Sequence, residues 1–116
     1  MKYEATITSV GSLARAFLPK NSSVILMDQG KRHKLAEMVV QHSVSKLVED
    51  IEVGDTLLIG NDSYAITSVG ADVNANMKSE GHCTLIINGT GSMPGQLILE
   101  GDNLPRLAAG EKIIIK

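Results

Sequence analysis

The sequence is poor in aromatic residues, which make up 3% of the chain and include no tryptophan. Because 43% of the residues are hydrophobic, the core must be built mainly from aliphatic side chains. Proteins bind single-stranded nucleic acids by stacking bases on aromatic rings, and bind duplexes through many Lys and Arg contacts to phosphates. Few aromatics and a formal net charge of −2 therefore disfavour a nucleic acid as the main partner.

Three further absences bear on the location of the protein. A single cysteine, Cys83, excludes an internal disulfide. No hydrophobic run approaches the roughly 20 residues of a membrane-spanning helix. The first residues, MKYEATITSVG, carry charges where a signal peptide has its apolar stretch. We therefore expect a cytoplasmic protein, and its length predicts a single domain over residues 1–116.

Short apolar or alternating segments, separated by Gly, Asn, Asp and Pro, dominate the sequence. They predict an all-β fold, namely a compact barrel-like or sandwich-like single domain of short strands. Asn61-Asp62-Ser63 predicts a hairpin turn between two of the strands. The predicted strands are 3–10, 23–28, 35–44, 56–60, 64–70, 82–89, 96–101 and 112–116.

Helical signals are few and short, so we expect only one or two short helical turns. The candidate segments are 12–18, 72–81 and 104–110. In the second segment, Asp72 is a candidate N-cap and Gly81 a candidate C-cap. In the third, Pro105 stands near a first-turn position and Gly110 near the end.

The segment VVQHSV, residues 39–44, places His42 among valines. If this segment is extended, the side chain of His42 shares one face with three apolar residues (Met38, Val40 and Val44). On these residues alone, His42 is either a packed structural histidine, which is the simpler interpretation, or a nucleophile or ligand.

A metal site is the obvious alternative for the histidines. His82 and Cys83 are adjacent, however, so a strand would point them to opposite faces, and no zinc-type spacing is present. Cys83 is more simply a small core residue, and His82, which opens a strand, is structural on its own pattern. The acidic stretch 49–55 is predicted to be a solvated turn, or alternatively a surface that steers a basic partner protein.

The segment AITSVGADVNANMKSEGHCTLIING, residues 65–89, resembles the glucitol/sorbitol-specific enzyme IIA proteins of the bacterial phosphotransferase system (PTS). The matching features include Val69-Gly70 at a strand end and the Gly81-His82 pair. ATITSVG, residues 5–11, resembles the first strand of those proteins, and the later Pro94-Gly95 also fits. The resemblance extends over essentially the whole chain.

The resemblance implies that His42 is the nucleophile that accepts a phosphoryl group, with His82 as an accessory group. Val44 stands where members can have a second histidine, so a two-histidine site is not expected. The implied donor is the phosphocarrier HPr, and the implied acceptor is the cysteine of a IIB domain of a glucitol/sorbitol permease. Membrane association would be indirect, through that permease, and no cofactor or metal is implied. The competing hypotheses are a noncatalytic interaction domain of the same fold and a small His/Cys metal-binding protein.

Overall fold

Eight strands close into a barrel in the order β1-β3-β2-β6-β7-β5-β4-β8, which confirms the predicted all-β class and barrel-like architecture. The structure is a computed structural model, and it describes residues 1–91 and 93–116. The strands are β1 (Tyr3–Val10), β2 (Ser23–Asp28), β3 (Val40–His42), β4 (Thr56–Ile59), β5 (Asp62–Val69), β6 (Cys83–Ile87), β7 (Gln96–Glu100) and β8 (Lys112–Ile115). The helices are α1 (Ser12–Asn21) and α2 (Val73–Glu80), with a 3₁₀ helix at His33–Met38.

The barrel interior is filled by side chains that alternate along the strands. In β1, Tyr3, Ala5 and Ile7 are buried, and in β6 Cys83 and Leu85 are buried. Aliphatic residues from the other strands complete this core. Period-two alternation is the pattern that a closed barrel needs, because inward and outward positions alternate along every strand. Within the described ranges, no helix has the length and apolar character needed to cross a bilayer.

The predicted strand 35–44 is wrong over its first half. Residues 33–38 form the 3₁₀ helix, and β3 is confined to Val40–His42. The reason is topological, since β2 and β3 pair in parallel. A parallel connection must carry the chain back along the sheet before the next strand begins. Residues 29–39 make that crossover.

The predicted helix at 104–110 is also wrong. Residues 104–108 have no regular secondary structure, and Pro105 and Leu107 are buried while Arg106 between them is exposed. This alternation is that of an extended segment. Its backbone is held by the guanidinium of Arg15, whose Nη1 donates to the carbonyl oxygen of Leu107 at 2.8 Å.

The other local predictions hold with small shifts. The hairpin between β4 and β5 turns at Gly60-Asn61, one residue earlier than predicted, since Ile59 pairs with Asp62. Helix α2 ends at Gly81, which is left-handed with a φ of 58°, as predicted for a C-cap. Asp72 occupies the N-cap position of α2, but its side chain makes no capping hydrogen bond.

Candidate functional site

His42 and Asp28 are the last residues of two neighbouring parallel strands and lie directly opposite each other in the β2–β3 register. Side chains in register on adjacent strands point to the same face, and here that face is the barrel interior. The exposed fraction is 0% for His42 and 4% for Asp28. They are the buried polar or charged residues of the described chain, in a core that is otherwise apolar.

The two ring nitrogens of His42 both face backbone carbonyl oxygens. Nδ1 lies 2.9 Å from the oxygen of Ser43, and Nε2 lies 2.8 Å from the oxygen of Gly81. A neutral imidazole carries one N–H and therefore donates to one of these oxygens, whereas a doubly protonated ring donates to both. The hydroxyl of Tyr3 is 3.5 Å from Nδ1, and its ring meets the imidazole edge-on at a centroid distance of 6.0 Å.

Asp28 lies beside the ring of His42. We call the surroundings of this ring, formed by Tyr3, Asp28, Ser43 and Gly81, the His42 pocket. Oδ1 of Asp28 lies 3.7 Å from Nδ1 of His42 and has no hydrogen-bond partner among the described residues. Burial raises the pKa of Asp28, while the charges of His42 and Lys31 act in the opposite direction. Burial likewise raises the pKa of Tyr3, so its hydroxyl stays neutral. When it is ionised, the carboxylate of Asp28 is close enough to balance a positive charge on the imidazole ring.

Gly81 covers the Nε2 side of the ring. A β-carbon at this position would overlap Oδ1 of Asp28 and would lie 2.6 Å from Cε1 of His42. The backbone is also left-handed here, which favours glycine on conformational grounds alone. The position is therefore restricted to glycine both by its φ angle and by its close contact with the pocket.

An ion pair joins the two segments that flank the pocket. Nη2 of Arg32, in the loop after β2, lies 3.1 and 3.2 Å from the carboxylate oxygens of Glu80, the last residue of α2. Glu80 immediately precedes Gly81, so the pair connects the crossover loop with the turn that covers His42. Both side chains are partly exposed, which limits the contribution of the pair to stability.

The other predicted site residues have different surroundings. His82 is half-buried, and it is the carbonyl of the preceding residue, Gly81, that contacts the ring of His42. Cys83 is 1% exposed, and burial raises the pKa of its thiol to about 12, as suits a core residue. In the part of the chain that the structure describes, no three His, Cys, Asp or Glu side chains gather in a way that could hold a metal ion.

The predicted apolar surround of His42 is only partly right. Val40 is fully buried on the same face, but Met38 is 40% exposed and Val44 is 62% exposed. Strand parity does not extend to these two residues, because β3 ends at His42 and the residues up to 38 form the 3₁₀ helix. Met38 and Val44 are surface residues near the site.

Ser43, the next residue in sequence, contacts the His42 ring through its backbone and not through its side chain. The hydroxyl of Ser43 does point away and accepts a hydrogen bond from the N–H of Thr6 at 2.9 Å. Its backbone carbonyl, however, is the oxygen that faces Nδ1. The sequence analysis did not identify Asp28 as a site residue. A signal for it was present, because an aspartate directly after the apolar run SVILM is unusual.

The acidic stretch 49–55 lies on the surface and is partly neutralised by lysines. Nζ of Lys2 is 2.8 Å from Asp55 and 3.5 Å from Glu52, and Nζ of Lys78 is 2.7 Å from Asp50. Apart from Asp55, which is half-buried, these acidic residues are exposed, as predicted for a solvated turn. A role in steering a partner protein stays a prediction.

Comparison with solved structures relates the fold to the IIA components of the PTS. A PTS system IIA component from Enterococcus faecalis V583 is similar, with a TM-score of 0.87 and 28% sequence identity. The match covers 96% of this chain and 97% of that chain. A search of curated proteins finds no match.

The match to a family model is more specific. The family described as the PTS system glucitol/sorbitol-specific IIA component matches residues 2–114. The chain therefore belongs to the glucitol/sorbitol-specific IIA family, and the resemblance seen in the sequence is confirmed. Membership supports a phosphoryl-transfer role in the PTS.

Proposed function

We propose that this protein is the phosphocarrier IIA component of a sugar-alcohol PTS and that His42 carries the phosphoryl group. In this proposal, His42 accepts the group from phospho-HPr and passes it to the cysteine of a IIB domain in a glucitol/sorbitol permease. The observation that carries the proposal is the pocket itself, since His42 alone of the three histidines is buried and oriented through its ring nitrogens.

Imidazole is suited to this task because its unperturbed pKa of about 6.5 leaves a nucleophilic neutral form near physiological pH. Histidine also forms covalent intermediates that divide one difficult transfer into two easier ones. Phosphoryl transfer proceeds through a loose transition state, so positioning and charge stabilisation account for most of the catalysis. The His42 pocket offers both.

The two sides of the ring differ in how firmly their carbonyls are held. Ser43 is bonded twice to Thr6 of β1, through its N–H at 2.8 Å and through its hydroxyl at 2.9 Å. Gly81 and His82 are attached to the end of α2 by longer bonds of 3.2 and 3.3 Å. We therefore assign Nε2, beneath Gly81, as the attacking nitrogen, with Nδ1–H donated to the oxygen of Ser43. Nε2 must be unprotonated to attack, so its contact with the carbonyl oxygen of Gly81 has to be released first.

Because His42 is fully buried, the turn at Gly81-His82 must move for the phosphoryl donor to reach Nε2. The turn is held to the end of α2 by two long hydrogen bonds, so we propose that a docking partner displaces it. Closure afterwards would keep water from the phosphohistidine. His82 belongs to this turn, and this position supports the accessory role proposed for it.

The proposed partners, HPr and the IIB domain, imply a cytoplasmic protein whose contacts are brief and whose interfaces are small. The sugar alcohol itself would be bound by the membrane permease.

The proposal is tested by intact-mass spectrometry after incubation with phosphoenolpyruvate, enzyme I and HPr. We expect one acid-labile phosphoryl adduct on the wild type and on His82→Ala, and none on His42→Ala, with each variant checked for folding. Absence of an adduct on the folded wild type would contradict the proposal and favour a noncatalytic interaction domain of the same fold.

A further inference from the structure

We propose that Asp28 is a positioning residue for His42, and that its buried carboxylate balances the positive charge that the imidazole ring carries once it is phosphorylated. The inference rests on the proposed function, because it assigns a role to Asp28 in the same transfer. Asp28 is 4% exposed, and in this proposal it acts through His42 rather than on the donor itself.

The geometry of the pair is fixed by the sheet. Asp28 and His42 are register partners at the ends of β2 and β3, and Oδ1 of Asp28 lies 3.7 Å from Nδ1 of His42. At this separation the carboxylate acts mainly through its charge, since the distance exceeds that of a hydrogen bond. Gly81 packs against both groups and so keeps the carboxylate beside the ring.

A purely structural role explains Asp28 poorly. A buried carboxylate is costly unless hydrogen bonds or an opposite charge compensate for its lost hydration. Oδ1 has no hydrogen-bond partner among the described residues, so no hydrogen bond compensates for the hydration that this oxygen loses on burial. A buried polar atom without a partner calls for an explanation, and a functional charge is one of the recognised ones.

The transfer step creates the charge that Asp28 would balance. The lone pair of Nε2 forms the new N–P bond, while the bond from phosphorus to the donor atom breaks and its electron pair returns to the donor. The proton on Nδ1 stays in place and continues to donate to Ser43. The ring is then substituted on both nitrogens and is cationic, with Asp28 as the nearest opposite charge described in the pocket.

The test uses wild type, Asp28→Asn and, as a matched control, Asp102→Asn, which removes an exposed carboxylate. Phosphoryl acceptance from phospho-HPr is measured by rapid quench over a range of donor concentrations. We expect Asp28→Asn to lower the limiting rate by about tenfold to a hundredfold, as for other groups that support a reacting residue. The half-saturating donor concentration should not change, because in this proposal Asp28 acts on the transfer step through His42 and not on the docking of the donor.

A second measurement already tests the proposal on the wild type alone. In ¹⁵N-histidine-labelled, phosphorylated wild type at neutral pH, long-range ¹⁵N–¹H spectra report whether Nδ1 of His42 keeps its proton. We expect a protonated Nδ1, and we expect Asp28→Asn to shift the phosphorylated ring towards the deprotonated form. A packing role alone would leave this signature unchanged.

The outcomes separate the two proposals. If the wild type is phosphorylated on His42 but folded Asp28→Asn accepts phosphoryl groups as fast as Asp102→Asn, the role of Asp28 is overturned and the phosphocarrier proposal stands. A deprotonated Nδ1 in phosphorylated wild type overturns the role of Asp28 even if Asp28→Asn fails to fold. If folded wild type takes up no phosphoryl group at all, it is the proposed function that fails.

Discussion

The carbonyl oxygen of Gly81 lies 2.8 Å from Nε2 of His42, and the packing between these two residues leaves no room for a β-carbon. A turn at the end of a helix thus forms the cover of a buried histidine. Since Gly81 also contacts Asp28, any side chain introduced there disturbs both members of the pair.

Gly81→Ala should therefore damage the pocket as well as strain the backbone. We expect a loss of unfolding free energy of more than about 1 kcal/mol, because alanine is disfavoured at positive φ and its β-carbon would overlap Asp28. Phosphoryl acceptance should also fall. Urea unfolding and the mass assay measure the two effects.

Gly30→Ala is the matched control for this substitution. Gly30 also has a positive φ, 77°, but a β-carbon there would have no neighbour within 4 Å. Its substitution should therefore show the backbone strain without the loss of phosphorylation. Equal effects of the two substitutions on phosphorylation would contradict the assignment of Gly81 as the cover of His42.

Removal of the Arg32–Glu80 ion pair should affect local opening more than global stability. For Arg32→Gln we expect a change in unfolding free energy of less than about 1 kcal/mol, because both partners are partly exposed. Amide hydrogens at Gly81 and His82 should exchange faster with solvent, since the pair holds the end of α2. Glu80→Gln should behave alike, and the double variant should add little further exchange. Unchanged exchange rates would show that the pair does not restrain this turn.

The Lys2–Asp55 pair predicts a pH-dependent contribution to stability. Burial alone would raise the pKa of Asp55, but the hydrogen bond from Lys2 and the one from the N–H of Glu52 outweigh it, and the pKa is lowered. A carboxyl group with a lowered pKa in the folded protein stabilises it above the unfolded-state value of about 3.9. That contribution is lost as the pH falls from there through the folded-state pKa.

Lys2→Met should therefore lower the unfolding free energy at neutral pH, and its difference from wild type should shrink at acidic pH, below about 3.9. Lys112→Met is a suitable comparison, because Lys112 pairs with Glu4 at 2.9 Å but both side chains are more exposed, at 56% and 41%. Urea unfolding at several pH values compares them. A pH-independent effect of Lys2→Met would argue that packing of its side chain, rather than its charge, matters.

Cys83 should be unreactive towards thiol reagents in the native protein. Its side chain is buried, and burial raises the pKa of the thiol to about 12, so almost no thiolate is available. Modification should become fast only in denaturant, and its rate in the native state should follow the unfolding equilibrium. Rapid modification of native protein, followed with a chromogenic disulfide reagent, would contradict the buried placement.

The strands were predictable because their signal is local. Tyr3–Val10 and Ser23–Asp28 were predicted with their observed bounds, since alternation or an apolar run between turn residues is visible in a single segment. The error at 35–44 has a different origin. Whether His33–Met38 extends β3 or crosses between parallel strands depends on the position of β2, which the segment itself does not encode.

The candidate site was predictable only in part for the same reason. His42 was singled out by its apolar neighbours and by family resemblance. Asp28 and Gly81 enter the pocket through the β2–β3 register and the close packing of a turn that follows α2, and both are long-range features. The glycine signal at 81 was correctly interpreted as a helix end, but its second role, as the cover of His42, depends on residues far away in sequence.

Closure of the barrel also limits how any partner can bind this protein. Each of the eight strands has a neighbour on both sides, so the described sheet offers no free edge onto which a peptide could add as a further strand. Recognition must then rely on side chains and on the loops at the barrel ends, where the Gly81 turn and the crossover loop meet. An interface of this kind would fit the proposed function, in which a phosphoryl donor and a phosphoryl acceptor bind in turn.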